Sequence, residues 1–145
     1  MDYASPAPHM FDSINVDDTF SFSKPPVTTI QLVMYAGASG DYNRIHYDHH
    51  FAVEAGLGGV IAHGMLSMGC LSQAVTEWAG AGALVKDIRS RFVSPVKPGD
   101  ALKFDGVIKA KDNAEGEKTC SVDIDGYVGE RRVITGSATV KFANV

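Results

Sequence analysis

The apolar positions in the first half of the chain recur at helical spacing and predict three helices. Thr28 and Gln31 have the spacing of an N-terminal capping box, and Gly40 suits the left-handed cap at which the first helix ends. Asp48 is expected to cap a second, short helix that stops at Gly56. The first helix carries apolar or small residues three and four positions apart, at Ile30, Val33, Met34 and Gly37.

The third predicted helix is the longest of the three. Residues 65–79 contain no proline and are apolar almost all round, so we expect the helix to be buried on most of its sides. At about 1.5 Å per residue this helix spans on the order of 22 Å. Its small residues, Gly69, Cys70 and Ala74, predict a close approach to a sheet.

After Gly82 the hydrophobic pattern changes to period two, which predicts antiparallel strands. Turn-forming residues separate these strands at 95–100 and 113–116, and residues 126–130 predict another turn or a bend. Several such strands after one buried helix indicate an α+β domain. One face of the successive strands is apolar or small, at Ile88, Ser90, Phe92 and Ser94; Leu102, Phe104, Gly106 and Ile108; Cys120, Val122 and Ile124; and Ile134, Gly136, Ala138, Val140 and Phe142.

The amino-terminal segment precedes the predicted helices. Residues 1–10 hold prolines and small residues and are interpreted as a loose, flexible arm, which leaves 11–145 for a single domain. Val16 and Phe20 are candidate strand positions before Pro25-Pro26 forces an extended break.

Composition and charge narrow the classes of function. The net charge of -4 argues against a general affinity for nucleic acid or anionic membrane. No apolar run reaches the ~18 residues of a membrane span, and we expect no signal peptide. Cys70 and Cys120 are too few for a disulfide framework or a zinc site, so we interpret them as buried free thiols in a cytoplasmic protein.

An acid, an amide and an imidazole lie close together after the first helix. Asp41, Asn43 and His46 follow Gly40 on a predicted loop, and a tight loop brings Asp41 and His46 to one point. A carboxylate and an imidazole that share a water form a general acid/base pair, for which a histidine pKa of about 6.5 is well suited. A helix cap beside a surface histidine is the alternative interpretation of this spacing.

A second element stands at the start of the third helix, in Ala62-His63-Gly64-Met65. A helix start has free N–H groups and a positive dipole end, which can hold a thioester carbonyl as negative charge develops on its oxygen. Gly64 lets a substrate approach the backbone closely; alternatively, it only permits the turn into the helix.

Together these elements resemble the signature of the MaoC-like dehydratases, or (R)-specific enoyl-CoA hydratases. Gly40-Asp41-x-Asn43-x-Ile45-His46 is followed by Ala62-His63-Gly64-Met65. The likeness extends to Phe92-Val93-Ser94-Pro95-Val96 with Pro98-Gly99-Asp100, and it covers roughly residues 11–142 in the order of elements.

The resemblance implies a hotdog fold, in which a curved antiparallel sheet wraps around the long central helix. It implies an enzyme without a cofactor that hydrates 2-enoyl thioesters and dehydrates 3-hydroxyacyl thioesters. The acyl group is expected on coenzyme A or on acyl carrier protein, in fatty-acid or related lipid metabolism.

The resemblance also implies roles for individual residues. Asp41 and His46 match the catalytic pair, and Gly64 matches the glycine whose N–H polarises the thioester carbonyl. Among the supporting residues, Asn43 matches the amide that braces the loop, and Ser72 matches a serine that some hydratases carry near the catalytic acid. From its place beside Gly64, and not from the resemblance, His63 is interpreted as a residue that hydrogen-bonds a loop, with a position in the pocket lining as the alternative.

Arg44 departs from the family pattern, which has proline at this position. We interpret Arg44 as a solvated side chain, with a salt-bridge partner and a phosphate contact as alternatives. Arg89 and Arg91 are candidates for coenzyme A phosphate contact, with a solvated strand face as the favoured interpretation. The histidines have no recognised metal-ligand spacing, so we expect no metal.

Two other functions remain open at this stage. A hotdog acyl thioesterase would share the fold and the substrate class, so the fold does not exclude it. The segments 75–80 and 84–86 are similar to subunits of heteromeric actinobacterial dehydratases, so the chain is expected to form a homodimer or a heterodimer with another hotdog subunit. Because Asp41 and His46 are both present, it would be the catalytic member.

Overall fold

The computed structural model describes residues 11–143, so the expected flexible arm at 1–10 lies outside the described residues. The helices are α1 (Thr29–Ser39), α2 (His49–Glu54) and α3 (Gly64–Ala79), with short 3₁₀ helices at Phe11–Ser13, Arg44–His46 and Ala114–Gly116. The strands are β1 (Thr19–Ser23), β2 (Ala83–Phe92), β3 (Lys103–Asp112), β4 (Thr119–Val128) and β5 (Arg131–Phe142).

The described strands form one antiparallel sheet in the order β1-β3-β4-β5-β2. Helix α3 packs against β1, β2 and β5, and the core lies between this helix and the sheet. Leu71, Ala74 and Val75 of α3 are fully buried there, as are Phe104 and Ile134 of the strands. The α+β prediction, with one buried helix against an antiparallel sheet, is therefore confirmed.

The predicted ends of the first two helices are confirmed, because each depends on a local hydrogen bond. The Thr28 hydroxyl accepts from the N–H of Gln31 at 3.1 Å. Gly40 ends α1 with φ 73°, in the left-handed region where glycine carries no steric penalty. The Asp48 carboxylate accepts from the N–H of Phe51 at 3.1 Å and thereby caps α2.

Four details of the sequence interpretation are wrong. Val16 lies before β1, in which Phe20 alone of the two candidates is found. Strand β4 continues through Gly126 to Val128, so the turn is shorter than predicted. Ser94, which the alternation placed on the same strand as Ile88, lies beyond β2, because this strand ends at Phe92.

Gly69 does not make the predicted close approach between α3 and the sheet. Gly69 is exposed, and a Cβ at its position would meet nothing within 4 Å. The close contact is made from the sheet, by Gly136 in β5. A Cβ at Gly136 would lie 2.5 Å from the carbonyl oxygen of Arg89 in β2 and 3.1 Å from Cδ1 of Leu71 in α3. Gly136 therefore allows β5 to pass beneath the helix.

Candidate active site

The loop after α1 orients the carboxylate of Asp41 through its own backbone. The N–H of Asp41 donates to the Ser39 hydroxyl at 3.2 Å, and the N–H of Asn43 donates to Oδ1 of Asp41 at 3.2 Å. The Asp41 side chain is 52% exposed, so its second oxygen is open to a ligand. The Asn43 side chain accepts from the N–H of Ile45 at 3.2 Å and begins the 3₁₀ turn that carries His46.

The imidazole of His46 is buried, and its tautomer follows from its one backbone contact. Nδ1 lies 2.8 Å from the carbonyl oxygen of Ile61. Because a carbonyl only accepts, Nδ1 carries a proton, and in the neutral imidazole Nε2 is then the acceptor. Nε2 lies 3.7 Å from Oδ2 of Asp41. The structure thus brings the predicted acid and imidazole together with an acceptor atom on each.

His63 connects this loop to the start of α3. Its Nε2 donates to the backbone carbonyl of Asp41 at 3.2 Å, and its ring stacks on that of His46 with centroids 3.7 Å apart. The Tyr35 ring packs edge-on against the His63 ring, with the two ring centroids 4.9 Å apart. Burial lowers the pKa of the His63 imidazole below its ordinary value of 6.5. His63 therefore hydrogen-bonds a loop, as the sequence predicted.

A cavity of about 370 Å³ opens beside His46 at the start of α3. Gly64 is the first residue of α3, no side chain caps this helix end, and the N–H of Gly64 has no hydrogen bond to a described residue. This N–H is one of the free donors at the positive end of the helix dipole. The apolar part of the cavity wall includes Ile45, Ile61, Ala62, Phe92, Val96 and Val133.

Ser67 is a cavity residue that the sequence interpretation missed. It lies one turn after Gly64 on α3 and lines the cavity together with His46. The only available signal was its spacing of three residues from Gly64, which places both on one face of a helix. Ser72, the predicted serine, lies further along α3 and is not among the cavity residues.

Arg44 forms an ion pair, which was the salt-bridge alternative, while its side chain remains 57% exposed to solvent. Its Nε and Nη2 lie 3.1 and 2.7 Å from one carboxylate oxygen of Asp48. Its guanidinium also lies over the Phe51 ring, 4.5 Å from the centroid. The N–H of Phe51 and the guanidinium together hold the pKa of Asp48 below its ordinary value.

Arg89 and Arg91 do not line the cavity beside His46. They lie in a separate groove on the sheet, whose lining also includes Asp105, Asp123 and Asp125. Arg89 pairs with the neighbouring Asp87 at 3.0 Å. With these carboxylates close by, the groove is a mixed, solvated strand face and is poorly suited to a phosphate.

Asp41, His46 and His63 each have a potential metal-ligand atom within 4.8 Å of the others. The two imidazole rings are stacked with an interplanar angle of 21°, so their in-plane lone pairs run side by side. Ligand atoms of a zinc ion point at the metal from about 2.0–2.1 Å. The arrangement therefore favours acid/base chemistry at this cluster over metal ligation.

In the part of the chain that the structure describes, no helix is long and apolar enough to cross a membrane.

The chain is similar to known proteins over most of its length. The family model described as a MaoC like domain matches residues 13–126. The 3-hydroxybutyryl-CoA dehydratase of Methylorubrum extorquens is 32% identical over 123 residues, which cover 81% of this chain and 74% of that protein. The (R)-specific enoyl-CoA hydratase of Rhodospirillum rubrum is 30% identical over 136 residues, which cover 93% of this chain and 83% of that protein.

A solved structure is similar in fold. The (R)-hydratase from A. caviae involved in PHA biosynthesis superposes with a TM-score of 0.82 at 25% identity, over 90% of this chain and 98% of that chain. This similarity confirms the hotdog fold that the sequence resemblance implied.

Proposed function

This chain belongs to the family of MaoC-like domains, and we propose that it is a hydro-lyase that reversibly hydrates 2-enoyl thioesters and dehydrates 3-hydroxyacyl thioesters. One observation carries the proposal. Oδ2 of Asp41 and Nε2 of His46 lie 3.7 Å apart, beside a cavity into which a free helix N-terminus opens. Two acceptors at this separation suit a single water, and the helix end suits a thioester oxygen.

In the direction of hydration, we assign the first proton transfer to His46. The water donates one hydrogen bond to Nε2 of His46 and the other to Asp41, so that its oxygen faces C3 of the substrate. As the C3–O bond forms, Nε2 takes a proton, and the electron pair of the double bond moves toward the thioester oxygen. The imidazolium then returns a proton to C2, so that all atoms of the water are added.

Backbone groups and supporting residues stabilise the charges that develop during these reaction steps. The N–H of Gly64 donates to the enolate oxygen, and the Asp41 carboxylate stabilises the transient imidazolium. Ile61 fixes the tautomer of His46 through its carbonyl group. Asn43 braces the loop through Ile45, and His63 holds the backbone of Asp41.

We propose a coenzyme A thioester as the substrate, in fatty-acid or related lipid metabolism. The largely apolar wall of the cavity, with Ile61, Phe92 and Val133, is compatible with an acyl chain or with the arm that carries it. A substrate on a carrier protein is the alternative. Cys70 and Cys120 are free and buried, which fits the reducing cytoplasm that we propose as its location.

We also propose that the chain works as a dimer of hotdog domains. Within the described sheet, β2 has a neighbour on one side only, and it carries the exposed Leu84. A long edge strand with exposed apolar residues is normally covered. Light scattering of the purified chain, alone and with the products of neighbouring genes, distinguishes a homodimer from a heterodimer.

The test of the reaction uses crotonyl coenzyme A and follows the enoyl absorbance. Asp41→Asn and His46→Gln are each expected to lower turnover by at least 10²-fold, as removal of a general acid or base does. His50→Gln, an exposed histidine on α2, is the matched control and is expected to retain turnover. Folded Asp41→Asn and His46→Gln variants with near wild-type turnover would show that the assignment is wrong. Release of free thiol without prior loss of the double bond would indicate a thioesterase instead.

A further inference from the structure

We propose that the hydroxyl of Ser67 is a second hydrogen-bond donor to the thioester oxygen, beside the backbone N–H of Gly64. The proposal rests on the proposed function and adds one catalytic residue to it.

Most polar groups of the cavity already have a protein partner. Nδ1 of His46 donates to Ile61. The Ser94 hydroxyl donates to the carbonyl of Arg132 at 2.9 Å and accepts from Arg131 at 3.0 Å. Ser67 is different: it is 5% exposed, and none of the described residues forms a hydrogen bond with its hydroxyl. Its hydroxyl is therefore available as a donor to a ligand in this cavity.

The geometry of α3 directs this hydroxyl toward the free helix end. Ser67 follows Gly64 by three residues, so both lie on one face of the helix. Side chains on a helix lean toward its N-terminus, so the Ser67 side chain covers the turn that begins at Gly64. The N–H of Ser67 already donates to the carbonyl of His63 at 3.3 Å, which leaves the hydroxyl as its free donor.

A hydroxyl at this place contributes more in the transition state than in the bound substrate. The thioester oxygen is neutral in the substrate and gains negative charge as the enolate forms. A hydrogen bond to a charged acceptor is roughly twice as strong as one between neutral groups. Loss of one donor to such an oxygen typically lowers kcat by about 10²–10³-fold, and we expect 10–100-fold here because the Gly64 N–H remains.

The first test compares kinetics of three variants. Ser67→Ala and Ser67→Cys are expected to lower kcat on crotonyl coenzyme A by about 10–100-fold with little change in KM. Cysteine nearly keeps the side-chain volume but is a weak donor, so a loss in both variants excludes a packing effect. Thr76→Ala, which removes an exposed hydroxyl from the same helix, is the matched control and is expected to retain kcat.

The second test measures the bond itself, without turnover. Butyryl coenzyme A is saturated and is not hydrated, and infrared spectroscopy reports the carbonyl stretch of its bound thioester. Two donors lower this frequency, so Ser67→Ala is expected to shift it upward while Asp41→Asn leaves it near the wild-type value. Equal frequencies in wild type and Ser67→Ala would overturn the proposal, whatever the turnover. Loss of activity in Asp41→Asn with full activity in Ser67→Ala would overturn it while leaving the proposed function intact.

Discussion

Substitution of Gly64 by alanine tests whether space, and not backbone freedom, requires glycine at the start of α3. Gly64 is not among the glycines with positive φ, so alanine can adopt its backbone conformation. A Cβ at this position would lie 2.8, 3.0 and 3.0 Å from three carbons of the Phe92 ring, whereas ordinary contacts begin at 3.4 Å. The ring must therefore move, and its half-exposed position leaves it room toward solvent.

The expected magnitude follows from this overlap. Overpacking by one methyl group costs about 1–3 kcal/mol, and we expect the lower half of this range because the Phe92 ring can turn outward. Gly69→Ala is the matched control on the same helix, since its Cβ meets nothing within 4 Å. That change is expected to raise the free energy of unfolding by about 0.5–1 kcal/mol, because alanine is the better helix former. The two glycines should therefore respond with opposite sign.

The assay is a double-mutant cycle with Phe92→Ala, measured by urea unfolding at one protein concentration. In the Phe92→Ala background, Gly64→Ala should lose its cost, which gives a coupling energy of about 1–2 kcal/mol between the two positions. Alanine retains the backbone N–H, so a loss of hydratase activity in Gly64→Ala reports the methyl group in the cavity or the displaced Phe92 ring, and not a lost hydrogen-bond donor. Equal stability of Gly64→Ala and Gly69→Ala, or no relief by Phe92→Ala, would refute the reasoning.

Three further predictions concern pH and packing. Burial lowers the pKa of His63, so as pH falls the unfolded chain binds a proton at this residue before the folded chain does. The free energy of unfolding should therefore fall as pH drops below about 6.5. Melting curves of His63→Gln should lack this part of the pH dependence. Hydrogen bonds from two lysines lower the pKa of Glu117 from its ordinary value of 4.5 to about 2. These bonds therefore stabilise the folded chain fully above pH 4.5, and this stabilisation is lost as pH falls toward 2. The melting temperature of Glu117→Gln should therefore lie furthest below that of wild type near neutral pH, and the difference should vanish near pH 2. Gly136→Ala should destabilise the domain by about 3 kcal/mol in urea unfolding, because its Cβ would meet backbone at 2.5 Å; an unchanged midpoint would contradict the packing described.

Local signals explain why the helices and strands could be predicted from the sequence. Thr28 and Asp48 cap helices through residues three positions away, and Gly40 ends α1 through its own conformation. The period-two segments become strands because each has one face in the core that lies between α3 and the sheet. The family resemblance named Asp41 and His46, which the fold then brings to 3.7 Å.

Contacts between distant segments explain most of what the sequence could not predict. The partner of His46 is the carbonyl of Ile61, fifteen residues away, and a backbone carbonyl leaves no mark on the sequence. Ser67 is distinguished only by the cavity that it faces. Arg44 is a different case, because its partner Asp48 lies four residues later, a spacing that forms ion pairs in helical segments, and this signal was present in the sequence.

The stacked imidazoles of His46 and His63 join two segments of the chain, because each ring donates a hydrogen bond to the segment that carries or adjoins the other. His46, on the loop, bonds a carbonyl just before α3, and His63, at the entrance to α3, bonds a carbonyl of the loop. Because both bonds join the same two segments, we expect that opening either one loosens the other ring, so that the acid and the imidazole lose their alignment together. Turnover should then vanish at lower urea than the far-ultraviolet signal of the helices and strands, which makes catalysis the more sensitive probe of local opening in this domain.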